Sequence, residues 1–185
     1  MASRQTLREW LRIETRALHD RLDESLAPAA LSEGDDYARF LDTQYRARLP
    51  IERWIGTNAD APPPQTPHIA ADLVALGRTV PDLDPVADAE LRQTLQRESA
   101  GALGAYWVLA GSSLGNRAML SRRRKLGREG PVAFLSDPAM PAYFKSLRPR
   151  LERVCGHAEA QPAIQAAKLT FERFILSQDT LEIRA

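Results

Sequence analysis

The residues whose types and spacing could do chemistry here are His19 and a glycine pair far downstream. His19 stands four residues after Thr15 in an amphipathic segment. The run Gly101-Ala-Leu-Gly-Ala-Tyr-Trp-Val-Leu-Ala-Gly-Ser-Ser-Leu-Gly-Asn116 then sets Gly111 and Gly115 one helical turn apart. A neutral imidazole can ligate a transition metal. A helix bared at two successive turns lets its backbone approach a flat ligand with no side chain in the way. Together they describe a slot for a metal macrocycle, gripped by His19 on one face and open to a small gas on the other. Singly, each has a plainer reading. A helical histidine among leucines is commonly a hydrogen-bonded structural residue, and Gly-x-x-x-Gly is commonly a helix-packing device.

The elements that must position these residues read as helices. Leu7, Leu11, Leu18, Leu22 and Leu26 recur at helical spacings over residues 4–26, with Thr6 or Ser3 as the cap and Pro28 as the stop. His19 shares its stripe with Leu11, Thr15, Leu22 and Leu26, so it should face inward or line a cleft with one dry side. A second helix should follow the Ser32–Asp36 turn and carry Tyr37, Phe40, Leu41, Tyr45, Leu49, Ile51 and Trp54, with a kink at Pro50. The proline run makes Asn58–Pro67 a loop. Residues 68–77 look helical, and Leu83-Asp84-Pro85 offers the start of another helix through Leu91 and Leu95, bent or broken at Gly101 and Gly104. The glycine-bearing helix should run from Tyr106 to about Leu126, and its basic end, Arg122 to Lys125, complements a helix C-terminus before Gly127. After a loop over Gly130–Pro138, helices are expected near 140–155 and 160–180, with Phe144, Leu147, Leu151, Ile164, Leu169, Phe171 and Phe174 inward. No alternating strand pattern is visible. The expectation is an all-α, single-domain bundle, residues 1–185, of about six to eight helices.

Composition bounds the function. With 185 residues, 44% of them hydrophobic, the chain can bury one substantial core. Its 25 basic and 24 acidic residues nearly cancel, which argues against a nucleic-acid surface. One cysteine, Cys155, allows no intramolecular disulfide and reads as a small core residue near a helix end. There is no apolar run long enough for a membrane span and no secretory leader pattern, so the expectation is a soluble, cytoplasmic protein.

At this point the chain resembles the haem oxygenase family, and in particular its short soluble bacterial members associated with phytochromes. Glu14-Thr-Arg-Ala-Leu-His-Asp-Arg-Leu-Asp23 is similar to the family's proximal helix, and Ala102 to Gly115 to its distal helix. Weaker likeness continues in Gly130-Pro-Val-Ala-Phe-Leu-Ser136, Tyr143-Phe-Lys145 and Ala166-Ala-Lys-Leu-Thr-Phe-Glu-Arg-Phe174. The resemblance implies an enzyme that opens haem with dioxygen and reducing equivalents to biliverdin, ferrous iron and carbon monoxide. It casts His19 as the iron ligand with Thr15 one turn before it, and Gly111, Ser112 and Gly115 as the distal hinge where the chemistry occurs. Tyr106 and Phe171 would line the haem pocket. Arg12, Lys145, Arg148 and Arg150 would hold the propionates, although Pro149 stands where a basic residue is expected. Haem is both substrate and cofactor in this reading. An external donor of the ferredoxin or flavoprotein reductase type supplies electrons, and a bacteriophytochrome is the implied recipient of biliverdin.

Two positions depart from the mammalian-type pattern. Ser112 replaces the carboxylate that follows the first hinge glycine, and Asn116 replaces a glycine. Proton delivery would therefore run through waters held by Ser112, Ser113 and Asn116, groups that equally suit helix–helix hydrogen bonding. The departures leave open a non-catalytic haem carrier or sensor. A thiamin-degrading relative of the same fold would need Cys155 as nucleophile. His68 and His157, both expected at exposed helix ends, are the remaining candidate iron ligands.

Overall fold

The computed structural model describes residues 4–83, 85, 89, 93 and 101–182; the helix expected through Leu91 and Leu95 lies outside them. Seven helices occur among the described residues: α1 (Leu7–Leu31), α2 (Gly34–Ile55), α3 (Thr66–Ala75), α4 (Leu103–Lys125), the short α5 (Ala133–Ser136), α6 (Ala139–Leu151) and α7 (His157–Glu182). A two-residue antiparallel pair, Gln5–Thr6 with Val154–Cys155, ties the N-terminal strap to the α6–α7 junction. Among the described residues this contact is the one departure from an all-helical expectation.

The helix starts follow local chemistry. Thr6 and Glu9 form a reciprocal capping box at the head of α1, each side chain accepting from the other's backbone N–H. Pro28 does not end α1. The helix continues to Leu31 because its last turn is held from outside: the buried Arg123 of α4 donates to the carbonyls of Ala30 and Ser32 at 3.0 and 2.6 Å. Pro50 likewise stays inside α2 without ending it. α3 starts two residues earlier than expected. The Glu52 carboxylate of α2 accepts from the backbone of Gln65 and Thr66, supplying the acid that a helix N-terminus favours. At the other end of α4, Gly127 adopts φ +65° while Arg128 N–H closes back on the Arg123 carbonyl, a termination open to glycine at little cost. α6 stops at Leu151, short of the expected 155, because the chain goes extended to pair with the N-terminal strap.

α7 is the central element and packs on α1, α2 and α4. One core cluster joins these helices to α6 around Leu11, Ile51, Leu109, Leu147, Ile164 and Phe171, and a second around Tyr37, Phe40, Ile69, Leu120 and Phe134 joins α2, α3, α4 and α5. The α4–α7 crossing is close. A Cβ on Gly104 would fall 1.8 Å from the Ala163 carbonyl oxygen, so this glycine, expected to bend or break a helix, is the one that lets two helix backbones meet.

Candidate functional site

His19 sits on the rim of α1. Leu11, Thr15 and Leu26 of its stripe are buried, but 53% of the imidazole's surface is exposed, so it stands at the protein surface instead of filling the core. Its ring meets Phe171 of α7 edge-on at 5.9 Å, and Phe171 meets Trp107 of α4 edge-on at 6.5 Å. This aromatic chain links the histidine helix to the glycine helix, since Trp107, Gly111 and Gly115 follow one another at single-turn intervals on α4. Thr15 supports the turn beneath His19, and its hydroxyl proton is committed to the Leu11 carbonyl at 2.8 Å.

Asp23, one turn after His19, was not singled out in the sequence. Its carboxylate lies 3.5 Å from Nδ1 of His19, with Asp20 at 3.8 Å. An imidazole whose Nδ1 faces a carboxylate leaves its Nε2 lone pair available to a metal. The i, i+4 spacing was the available signal.

The two distal glycines differ from Gly104. A Cβ on Gly115 would meet nothing within 4 Å, and one on Gly111 would meet only the Phe144 ring, at 3.8 Å. Helix packing therefore does not require either glycine, and the plainer reading of the Gly-x-x-x-Gly spacing falls away at this pair. What the pair leaves is bare backbone with room beside it. Ser112 and Ser113 return their hydroxyl protons to the carbonyls of Leu109 and Ala110, and Asn116 is buried on the following turn.

Ser112 has a partner that no local pattern announces. Arg48 of α2 is buried, with 1% exposure, and its Nη2 donates to the Ser112 Oγ at 2.6 Å. Burial pulls its pKa down to about 10, which leaves it charged at neutral pH.

The candidate propionate residues divide. Tyr106 and Arg150 both donate to Asp60, at 3.2 and 2.6 Å, Asn58 donates to the Tyr106 hydroxyl, and Tyr143 donates to the Asp60 carbonyl. Burial pushes the Asp60 carboxyl up, but the hydrogen bonds from Arg150 and Tyr106 outweigh it and hold the group below the usual carboxylate range. Burial raises the pKa of Tyr106. Tyr106 and Arg150 thus already make a carboxylate-binding pair, here satisfied by the chain's own Asp60. Arg148 stands one turn after Phe144, the residue against Gly111, whereas Arg150 shares a face of α6 with Tyr143. Arg12, Lys145 and Arg148 are exposed and make no hydrogen bond or ion pair within 4 Å among the described residues.

The other candidates lie elsewhere. His157 opens α7 beside Glu14 and Trp10, and His68 lies in the first turn of α3 near Asp137. Cys155 lies on the short strand between α6 and α7, two residues before α7 begins, fully buried, and burial raises its thiol pKa. A nucleophilic cysteine needs the opposite.

Comparison with known proteins rests on structure. No family model matches the sequence, and no curated protein matches it. A haem oxygenase from Neisseria meningitidis, solved with NO and CO bound, superposes with a TM-score of 0.66 over 95% of this chain and 91% of that one. This chain has the haem oxygenase fold. At 22% identity the likeness is one of architecture. Within that fold, α1 carries His19 and α4 carries the open glycine stripe, so both ends of the aromatic chain sit on the two helices singled out from the sequence. No helix among the described residues is long and apolar enough to cross a membrane.

Proposed function

We propose that this protein is a haem oxygenase that opens haem to biliverdin, ferrous iron and carbon monoxide. The observation that carries the reading is the pairing of a half-exposed, carboxylate-backed imidazole with a glycine stripe that no neighbouring side chain requires. The residues fit the substrate. His19 would hold the iron through Nε2 while Asp23 orients the ring. Gly111 and Gly115 keep methyl groups off the opposite face, and Phe171, Trp107 and Phe144 offer apolar walls to the porphyrin. Arg12, Lys145 and Arg148 are open to pair with propionates, and Tyr106 with Arg150 would reach a propionate only by releasing Asp60.

Bound haem supplies the redox and oxygen chemistry itself, with electrons from an external donor. The chain's own residues bind, orient and manage protons. Ser112 replaces an acidic group and cannot serve as an acid near neutral pH, so proton supply on this side depends on water held by Ser112, Ser113 and Asn116. A ferredoxin- or flavoprotein-type reductase fits the electron requirement, and a bacteriophytochrome is a fitting recipient of the pigment.

The test is haemin titration followed by reduction under oxygen, with chromatography of the pigment. Biliverdin from the unmodified chain, and a His19→Ala variant that loses the parent haem spectrum and recovers part of it with added imidazole, is the expected result. A stable oxy-haem spectrum with no pigment would make the protein a carrier or sensor. An unchanged spectrum in His19→Ala would remove the ligand assignment.

A further inference from the structure

Arg48 is an expensive residue where it stands. A guanidinium with 1% exposure has lost its water, and the desolvation cost is recovered only when a matching anion and a full set of acceptors surround it. Neither is present among the described residues. Its Nε donates to Gln44 at 3.2 Å and its Nη2 to Ser112 at 2.6 Å, but Nη1 is buried with no partner. No carboxylate lies within ion-pair distance of it among the described residues. Glu52, one turn further on α2, is a carboxylate whose charge reaches Arg48, but beyond ion-pair distance and with its oxygens engaged by Gln65 and Thr66. The rings of Phe134 and Phe174 lie 5.1 and 5.5 Å from the guanidinium carbon and return part of the cost as cation–π attraction. An apolar side chain would bridge the two core clusters with no such cost.

What distinguishes this place is its neighbour. Ser112 is the residue after Gly111, and its hydroxyl is held from both sides, donating to the Leu109 carbonyl and accepting from Arg48. The positive charge is therefore anchored to the backbone of the bared stretch. We propose that Arg48 is a positioning residue of the distal face: it clamps Ser112 behind the glycine stripe, and its charge, which has no direct ion pair, favours anionic over neutral ligands bound in front of that stripe. In a low-dielectric site such a charge acts over longer distances than in water.

The inference rests on the haem reading, and its test separates the two. Fluoride binding to the ferric haem complex and CO binding to the ferrous complex are measured spectroscopically in the unmodified chain, Arg48→Met, Arg48→Lys and Ser112→Ala. Expected are an approximately tenfold loss of fluoride affinity in Arg48→Met, recovery of most of it in Arg48→Lys, and CO affinity unchanged within about twofold. Ser112→Ala, which keeps the charge but frees its anchor, should lose fluoride affinity by a smaller factor and serves also if Arg48→Met does not fold. Fluoride affinity indifferent to Arg48 or to Ser112, or falling in step with CO affinity, would reduce Arg48 to a core residue. A haemin complex with that behaviour overturns this inference alone, whereas failure of the unmodified chain to bind haemin overturns the haem reading and this inference with it.

Discussion

Replacing Gly111 and Gly115 together by alanine should make the free protein more stable and a worse haem protein. Glycine inside a helix costs roughly 0.5–1 kcal/mol relative to alanine, because its backbone loses more freedom on folding. A substitution recovers that amount only where the added methyl has room. At Gly115 it meets nothing within 4 Å, and at Gly111 it touches the Phe144 ring at an ordinary 3.8 Å. The double variant should therefore gain roughly 1–2 kcal/mol, a rise of roughly 2–8 °C in the unfolding midpoint for a chain of this size. Gly104→Ala is the internal control. Its methyl would sit 1.8 Å from the Ala163 carbonyl oxygen and 2.8 Å from the Ala167 nitrogen, both backbone atoms of α7 that cannot turn aside. It should destabilise by about 3 kcal/mol or more. Thermal and urea unfolding of the ligand-free proteins measure all three, and haemin titration with turnover is run on the stable variants. The double alanine variant should show weaker haemin binding and little biliverdin, because two methyl groups now stand where the distal ligand must lie. If it is stabilised yet binds and turns over haem as before, the stripe is not a ligand wall and the site is misplaced. If it is not stabilised, the space beside α4 is not free.

Asp60 has its carboxyl pKa lowered by folding, so its contribution to stability is present above the ordinary carboxylate range near pH 4 and is lost as pH falls below it. Asp60→Asn should lower stability in the neutral region, where the contribution is present, and converge with the parent in acid, so that the acid limb of its stability curve is flatter, as read by urea midpoints between pH 3 and 7; an acid limb that keeps its slope would show that Arg150 and Tyr106 do not hold the charge. Asp72 accepts from the backbone of Ala133 and Phe134 at 2.9 and 3.0 Å, and Phe134 is buried. Asp72→Ala should cost about 1–3 kcal/mol by leaving those N–H groups without an acceptor, with amide exchange speeding up first across α5; uniform exchange through the chain would contradict a local role.

How much was readable in advance depends on the range of the force involved. Helix type and order came from periodicity and caps, and the placement of His19, Gly111, Gly115 and Phe171 on their helices was legible because side-chain spacing along one helix is a local property. The Asp23–His19 pairing is equally local, since the two residues stand one turn apart on α1. Helix ends were less readable. Pro28 argued for a stop on backbone grounds, but Arg123, some ninety positions away, holds the last turn of α1 in place. The same holds for α3, whose start is set by Glu52, and for α6, whose end is set by the N-terminal strap.

By itself, then, the amino-acid order determined which faces are apolar, where an imidazole and two bare turns of helix occur, and that the chain folds as helices. Only the tertiary structure decided that Gly104 packs while Gly111 and Gly115 do not, that Tyr106 and Arg150 converge on Asp60, and that Arg48 reaches Ser112. Such pairings depend on how rigid helices cross, and a crossing is settled by the sum of many weak contacts over the whole core, which no short stretch of sequence contains.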